Sequence, residues 1–301
     1  MQIYLNISIS QNFDQKKLYL LVNTAGIRPG VCTYICRIGI NDYMASISNN
    51  EIKRVKSLQQ KKFRDAEGLF IAEGEKMVEE AIKSGFQVEQ IYRREDIGEE
   101  AMKRISALSS PSPVLAVIRK PSDVQIDDIS GVLASMSEGG LYLALDSIRD
   151  PGNLGTILRI ADWFGIDAVF AAPDTVDVFN PKVVQSTMGA IFRVKMHYLD
   201  LPALSESLLS MGGKVYGTFL DGRNIYSRPL DTGEEGPVMI VIGNESEGIS
   251  DTMQGLVSDR LYIPPYPDGE PGSESLNAAV ATAVTVAEFR RRIHNKLNIN
   301  E

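Results

Sequence analysis

The 301-residue sequence predicts an α/β fold in two parts, a small α/β unit followed by a larger, mainly parallel sheet with helices on both faces. Three observations lead there. Short, nearly continuous apolar runs such as Leu141–Leu145 and Val238–Ile242 read as strands buried on both sides. They alternate with segments of helical apolar spacing, the pattern of strand–helix–strand crossovers. Three polar, glycine-bearing loops, at 146–155, 243–248 and 264–275, then leave strands where parallel sheets hold their ligands.

Residues 1–43 show no sustained period, and the apolar run at 18–22 is short for a signal-peptide core. Met44 opens a polar stretch that leads into a helix, so 1–43 is expected to be an extension with little structure and the functional chain to begin near Met44. Residues 50–120 form the small unit: helix 51–64, strand 69–72, helix 75–84, strand 88–92, helix 97–108 and strand 114–118. The first helix carries Lys53, Arg54, Lys56, Lys61, Lys62 and Arg64. A solvated face is one reading of it; a face that contacts nucleic-acid phosphates is the sharper one. Residues 121–140, with Pro121 and two glycine-containing pairs, read as a linker. From 141 to 296 the larger unit follows: strand 141–145, a turn at 150–155, helix 156–164 stopped by Gly165, strand 168–171, helix 181–188, strand 191–196, helix 201–211, strand 214–220, strand 238–242, a strand ending at Pro264, and a long helix from about Ser275.

Composition narrows the function. A net charge of −8 argues against a surface that coats nucleic acid everywhere, but permits a local basic face. Cys32 and Cys36 are the only cysteines, too few for a disulfide framework and without the companions of a zinc site. A reducing, cytoplasmic setting is therefore expected, with no metal. His197 and His294 have no motif around them and read as surface or structural residues. No apolar run approaches the roughly 20 residues of a membrane-spanning helix, so no membrane partner is expected.

No dinucleotide fingerprint, P-loop or His-Glu-x-x-His occurs. The first loop places Asn153 and Gly155 four to six residues before Arg159, with Gly152 and Gly155 permitting close backbone approach to a ligand. Asn153 is expected in the loop and Arg159 about a turn into the helix, near enough to line one cleft. The second loop flanks Asn244 and Glu245 with Gly243 and Gly248; the third delivers Ser275, Leu276 and Asn277 to a helix start. Capping and ordinary turns are the plain alternatives for each.

Taken in order, Asn153–Arg159, Ile242–Ile249, and Ile263 through Asn277 resemble the three motifs of the SpoU branch of the SPOUT methyltransferases. That group includes ribose 2′-O-methyltransferases of tRNA and ribosomal RNA. The resemblance covers 141–292, and 53–118 is similar, more loosely, to the small substrate-binding domain of the family. It implies a C-terminal trefoil knot, a homodimer whose interface includes the small-residue helix after Asn277, and S-adenosylmethionine held by main chain near Thr218, Gly243, Ile263 and Leu276. It also implies roles for Asn153 and Asn277 in orienting groups, for Glu245 in fixing loop or substrate, and for Ser275 in holding Arg159 or the ribose. Arg159 is the expected partner of the reacting oxygen, as base or as electrostatic stabiliser; a guanidinium stays protonated, which favours the second. Glu247 adds a second carboxylate whose role stays open. The expected function is methyl transfer to a ribose 2′-hydroxyl of structured RNA, with 23S ribosomal RNA ahead of tRNA. A non-catalytic RNA-binding assembly factor is the alternative from another class.

Overall fold

The computed structural model describes residues 6–11, 18–23, 47–227, 229–231, 236–267 and 274–299; Cys32, Cys36 and Met44 lie outside them. The first 44 residues form a unit of their own. In it β1 (Asn6–Gln11) pairs antiparallel with β2 (Leu18–Asn23). This departs from the expectation of little structure before residue 44. Ile7, Ile9, Tyr19 and Val22 are β-branched or aromatic and favour an extended pair.

The small α/β part contains α1 (Asn49–Ser57), α2 (Lys61–Glu67), β3 (Leu69–Glu73), α3 (Glu75–Lys83), β4 (Val88–Arg93), α4 (Arg94–Ile97), α5 (Glu99–Ile105) and β5 (Val114–Arg119). Its strands form an antiparallel sheet in the order β3-β5-β4. The single basic helix expected at 51–64 is two helices. In an unbroken helix the carbonyls of Leu58 and Gln59 would accept from the backbone four residues on. Here Arg64 Nη1 takes both, at 3.0 and 2.8 Å. Gly68, at φ 65°, then ends α2 in the left-handed conformation that glycine adopts without strain.

The segment expected to be a linker is partly folded. Its backbone at Val124 and Ile126 bonds Tyr198 at the sheet edge, which leaves that edge less open to other chains. Helix α6 (Ser130–Ser135) then buries Val132.

The larger part runs β6 (Leu141–Leu145), α7 (Pro151–Trp163), β7 (Ala168–Ala171), α8 (Pro181–Ser186), a short 3-10 turn (Ala190–Phe192), β8 (Met196–Tyr198), α9 (Leu201–Ser210), β9 (Lys214–Asn224), β10 (Val238–Ile242), α10 (Asp251–Gln254), β11 (Asp259–Tyr262) and α11 (Ala278–Ile299). The sheet is wholly parallel, ordered β11-β9-β10-β6-β7-β8. Alternate residues feed two cores. Leu141, Leu143 and Leu145 face α7, α8 and α11, whereas Tyr142 and Ala144 face α6, α9 and α10. The strand expected at 191–196 is replaced by the 3-10 turn and the later β8, because Ile191 and Phe192 pack into the core instead of joining the ladder.

The small part is docked on the larger one through β3. Leu69 and Ile71 face its own helices, while Phe70 and Ala72 join the core of the large sheet. Phe70 lies 4.6 Å from Phe179, ring to ring, and Phe86 stands edge-on to Phe192 at 5.2 Å. Arg64, expected to face RNA, is 2% exposed and pairs with Asp177 at 2.6 Å across this junction. Removing one member of a buried pair strands the other charge, a loss of about 3–5 kcal/mol. Arg64→Ala is therefore expected to lower the urea unfolding free energy by about 3 kcal/mol; a loss of less than about 1 kcal/mol would show that the pair is not a fixed part of the junction.

Candidate active site

Strands β6 and β10 lie side by side at the point where strand order reverses, so the loops after them open into one crevice. Ser147, just past β6, has φ 63°, a conformation that costs a non-glycine residue energy. Its carbonyl accepts from Asn244 Nδ2 at 2.7 Å, while Asn244 Oδ1 accepts from the backbone N–H groups of Ser246 and Glu247. Asp146, 5% exposed, accepts from Ser250 N–H at 2.7 Å. The two loops are thus sewn together by Asp146, which the motif reading passed over, and by Asn244, which it placed in a ligand-facing turn. An acidic residue immediately after the apolar run of β6 was the available signal.

Asp150 caps α7 by accepting from Asn153 N–H at 2.8 Å, with Pro151 at the first helical position. The helix therefore starts five residues earlier than expected, and Asn153 is in its first turn instead of in the loop. Glu245 accepts from Asn153 Nδ2 at 2.9 Å and from the backbone N–H groups of Asp150 and Arg149 at 3.2 and 3.3 Å. Asn153 Oδ1 in turn accepts from Asn277 Nδ2 at 2.8 Å. Asn277 Oδ1 accepts from Ala279 and Val280 N–H, which puts it at the head of α11, and the helix begins at Ala278, three residues past the expected start. One chain of hydrogen bonds, Glu245–Asn153–Asn277, joins all three loops.

Partial burial pushes the Glu245 carboxyl up, but the hydrogen bonds from Asn153 and the backbone outweigh it and hold the group below its ordinary value.

The main chain expected to cradle a cofactor lies at the same sheet end. The register of β9 on β11 jumps from Gly217–Arg260 to Arg223–Leu261, so residues 218–222 have no partner in either neighbouring ladder. Thr218 is among them. A Cβ on Gly243 would come within 2.3–2.5 Å of the Gly248 and Ile249 backbone, so only glycine lets this loop close on itself.

Over 260 residues, 81% of this chain and 98% of the relative, the sequence is 31% identical to the 23S rRNA (guanosine(2553)-2′-O)-methyltransferase RlmP of Bacillus subtilis. The chain belongs to the SpoU rRNA methylase family. The family model itself matches residues 140–287, and a model for an MRM3-like substrate binding domain matches 49–120. Human mitochondrial rRNA methyltransferase 3 is 26% identical over 79% of this chain and 71% of its own. Among solved structures, a protein assigned to the TrmH family of RNA methyltransferases from Porphyromonas gingivalis is 36% identical, covers 82% of this chain and 99% of its own, and superposes with a TM-score of 0.69. An AdoMet-bound rRNA methyltransferase from Sinorhizobium meliloti is 26% identical over 82% of this chain and 96% of its own, with a TM-score of 0.71.

Within this SpoU methylase the expected residues divide. Asn153, Glu245 and Asn277 are bonded together. Ser275 and Leu276 are exposed on the approach to α11, Thr218, Gly243 and Ile263 are half-buried, and residues 268–273 of that loop lie outside the described residues. Arg159 is brought to no bond with the trio. It lies six residues, about 9 Å, along α7 from Asn153, on an exposed stripe with Thr156 and Trp163. Among the described residues it has no ion pair or hydrogen bond. Gly155 does not approach a ligand: a Cβ there would meet Ser186 at 2.4 Å, so it serves the packing of α7 on α8. In the basic set, Arg54 pairs with Glu67 and Glu51, Lys61 pairs with Asp65, and Lys62 lies over the Phe63 ring. With Arg64 buried, Lys53 and Lys56 are the exposed members free of such partners among the described residues. His197 meets the Asp123 carbonyl, a structural role. Among the described residues no group of three or more His, Cys, Asp or Glu is placed to hold a metal ion.

Glu245 binds its proton less readily folded than unfolded. Its contribution to stability is therefore complete above the ordinary value of 4.5 and is lost as the pH falls through the lower folded value. The thermal midpoint of the native protein is expected to drop more steeply below about pH 4.5 than that of Glu245→Gln. Parallel pH curves for the two proteins would show that the carboxylate does not hold the loops.

Proposed function

We propose that this SpoU methylase transfers a methyl group from S-adenosylmethionine to a ribose 2′-hydroxyl of 23S ribosomal RNA. The observation that carries the reading is the Glu245–Asn153–Asn277 chain at the switch point of the sheet, in a protein that pairs the methylase module with a substrate-binding one. S-Adenosylmethionine, when bound, supplies a methyl already activated on a sulfonium. The residues around Thr218, Gly243, Ile263 and Leu276 suit it, because 218–222 leave the ladder and Gly243 sits in a turn that tolerates no side chain.

What the protein must add is alignment of the hydroxyl and stabilisation of charge growing on its oxygen. Asn153 and Asn277 are already fixed by each other and by Glu245, so they meet substrate without reorganising. Arg159 keeps its charge and, unpaired among the described residues, is available to stabilise the oxygen or the adjoining phosphate. Ser275 adds a hydroxyl on the approach to the same helix end. Lys53 and Lys56 extend the phosphate contacts onto the small domain. A ribosomal substrate is preferred to tRNA because both the methylase module and the substrate-binding module match rRNA-modifying relatives. The same reading keeps the cytoplasmic setting expected from the two cysteines and includes the family's trefoil knot, supported by the β11-β9-β10 order and by α11 returning onto α7.

The reading also includes a homodimer. Trp163 is 85% exposed on α7, and Leu276 and Val280 are each 48% exposed at the head of α11, which packs on α7. Covering this apolar surface with a second copy removes it from water. Light scattering is expected to give twice the chain mass; a monomer at micromolar concentration would remove the dimer from the proposal.

The assay is transfer of labelled methyl to unmodified 23S transcript, with the product mapped for ribose methylation. Wild type is expected to modify one site. Arg159→Lys is expected to bind S-adenosylmethionine normally and to lose at least a hundredfold in kcat. Wild-type turnover by that variant would overturn the role of Arg159, and labelling of a base instead of a ribose would overturn the reaction.

A further inference from the structure

The polar chain occupies one side of the first turn of α7. On another side, between this helix start, α8 and the small domain, lies a separate cleft of about 360 Å³ that includes Pro151. Its walls are apolar where Leu108, Pro151 and Pro181 meet it. Its edge is polar. Gln59 donates its amide N–H to the carbonyls of Ile105 and Ser106 at 3.3 and 3.0 Å, which fixes the side chain and leaves Oε1 as an acceptor. Gln185 is half-buried, yet its amide has no hydrogen bond among the described residues. Lys182 is exposed at the rim, its ammonium without an ion pair among the described residues. Nearby Glu73 is spent within the protein, accepting from Ser106 Oγ and Ala107 N–H at 2.6 and 2.7 Å, so the wall itself is settled.

We propose that this cleft receives one unpaired nucleobase of the substrate RNA, a neighbour of the methylated nucleotide. The inference rests on the RNA methyltransferase reading above and deepens it. The volume is that of a pocket for one small ligand. Apolar walls suit the faces of a base, and the Gln185 carboxamide together with Gln59 Oε1 supplies both a donor and an acceptor for its edge. The position of Lys182 suits the phosphate that follows. Because α7 is the shared partition, a strand whose ribose lies at the Asn153 side passes over the helix start before its next base enters. Arg64–Asp177 and the phenylalanine cluster hold the two walls at a set distance, which makes the cleft a ruler between the site of methylation and a flanking base.

The test uses the full chain and unmodified 23S transcript, with Gln185→Ala and the cleft-filling Leu108→Trp. Both variants are expected to weaken transcript binding five- to tenfold in filter assays and to raise KM by the same factor. Both should leave kcat within twofold and S-adenosylmethionine affinity unchanged. Thiouridine-substituted transcript irradiated with wild type is expected to cross-link to peptides containing 180–185 or 105–108. Unchanged binding and KM in both variants, or cross-links confined to other peptides, would overturn the cleft while leaving the methyltransferase reading intact. RNA binding that responds to the variants without any methyl transfer would support the cleft and overturn that reading; a wild-type chain that binds no RNA would overturn both.

Discussion

The carboxylate of Glu245 is the constraint on which the rest of the site depends. It gathers two backbone donors at the start of α7 and the Asn153 amide, and through Asn153 it reaches Asn277 at the head of α11. Glu245, Asn153 and Asn277 come from loops that leave three different strands, and Asn153 is 92 residues from Glu245 and 124 from Asn277 along the chain. Nothing local in the sequence brings them together. The parallel sheet does, by laying β6 against β10 so that their carboxyl ends open side by side. Charge-assisted bonds of this kind are stronger than neutral ones, so one carboxylate can tie together turns that are also anchored in the core by Ile148 and Ile249.

A second level of order is the docking of the small domain. β3 is a strand with two buried faces, one toward its own helices and one toward the methylase core, and its five residues are all buried. Fully burying a side chain such as Phe70 contributes about 1.5–3 kcal/mol, and the ring contacts with Phe179 and Phe192 add to it. Arg193 reinforces the junction by bonding both Asp162 in α7 and Glu80 in α3. The substrate-binding module and the methylase module are thereby held together at a fixed spacing.

The sequence told most where burial is complete. β6, β7 and β10 fall on the expected residues, because strands covered on both faces must be apolar throughout and punctuated by polar turns. It told less where a residue type has two uses. Asp150-Pro-Gly-Asn reads as a turn, yet aspartate before proline is also a helix cap, and the cap prevails. Six cations in twelve residues read as one basic face. The chain instead breaks at Leu58, and Arg64 turns inward because Asp177, more than a hundred residues later, is there to meet it. Gly155 signals a close approach, but the object approached is α8 and not a ligand. Ile191 and Phe192 have the composition of a strand and the placement of core side chains. In each case the missing information was the identity of a distant partner. The motif residues Asn153, Glu245 and Asn277 were legible because their order and spacing are specific, and their mutual bonding was not.

The central claim is energetic coupling between loops remote in sequence, and a double-mutant cycle on S-adenosylmethionine binding reads it most directly. Calorimetric affinities of wild type, Asn153→Ala, Asn277→Ala and the double variant would be compared. Residues that act as one hydrogen-bonded unit show a coupling energy of about 0.5–3 kcal/mol, so the double variant should bind only slightly more weakly than either single one. Additive losses, with no coupling between positions 153 and 277, would contradict the account.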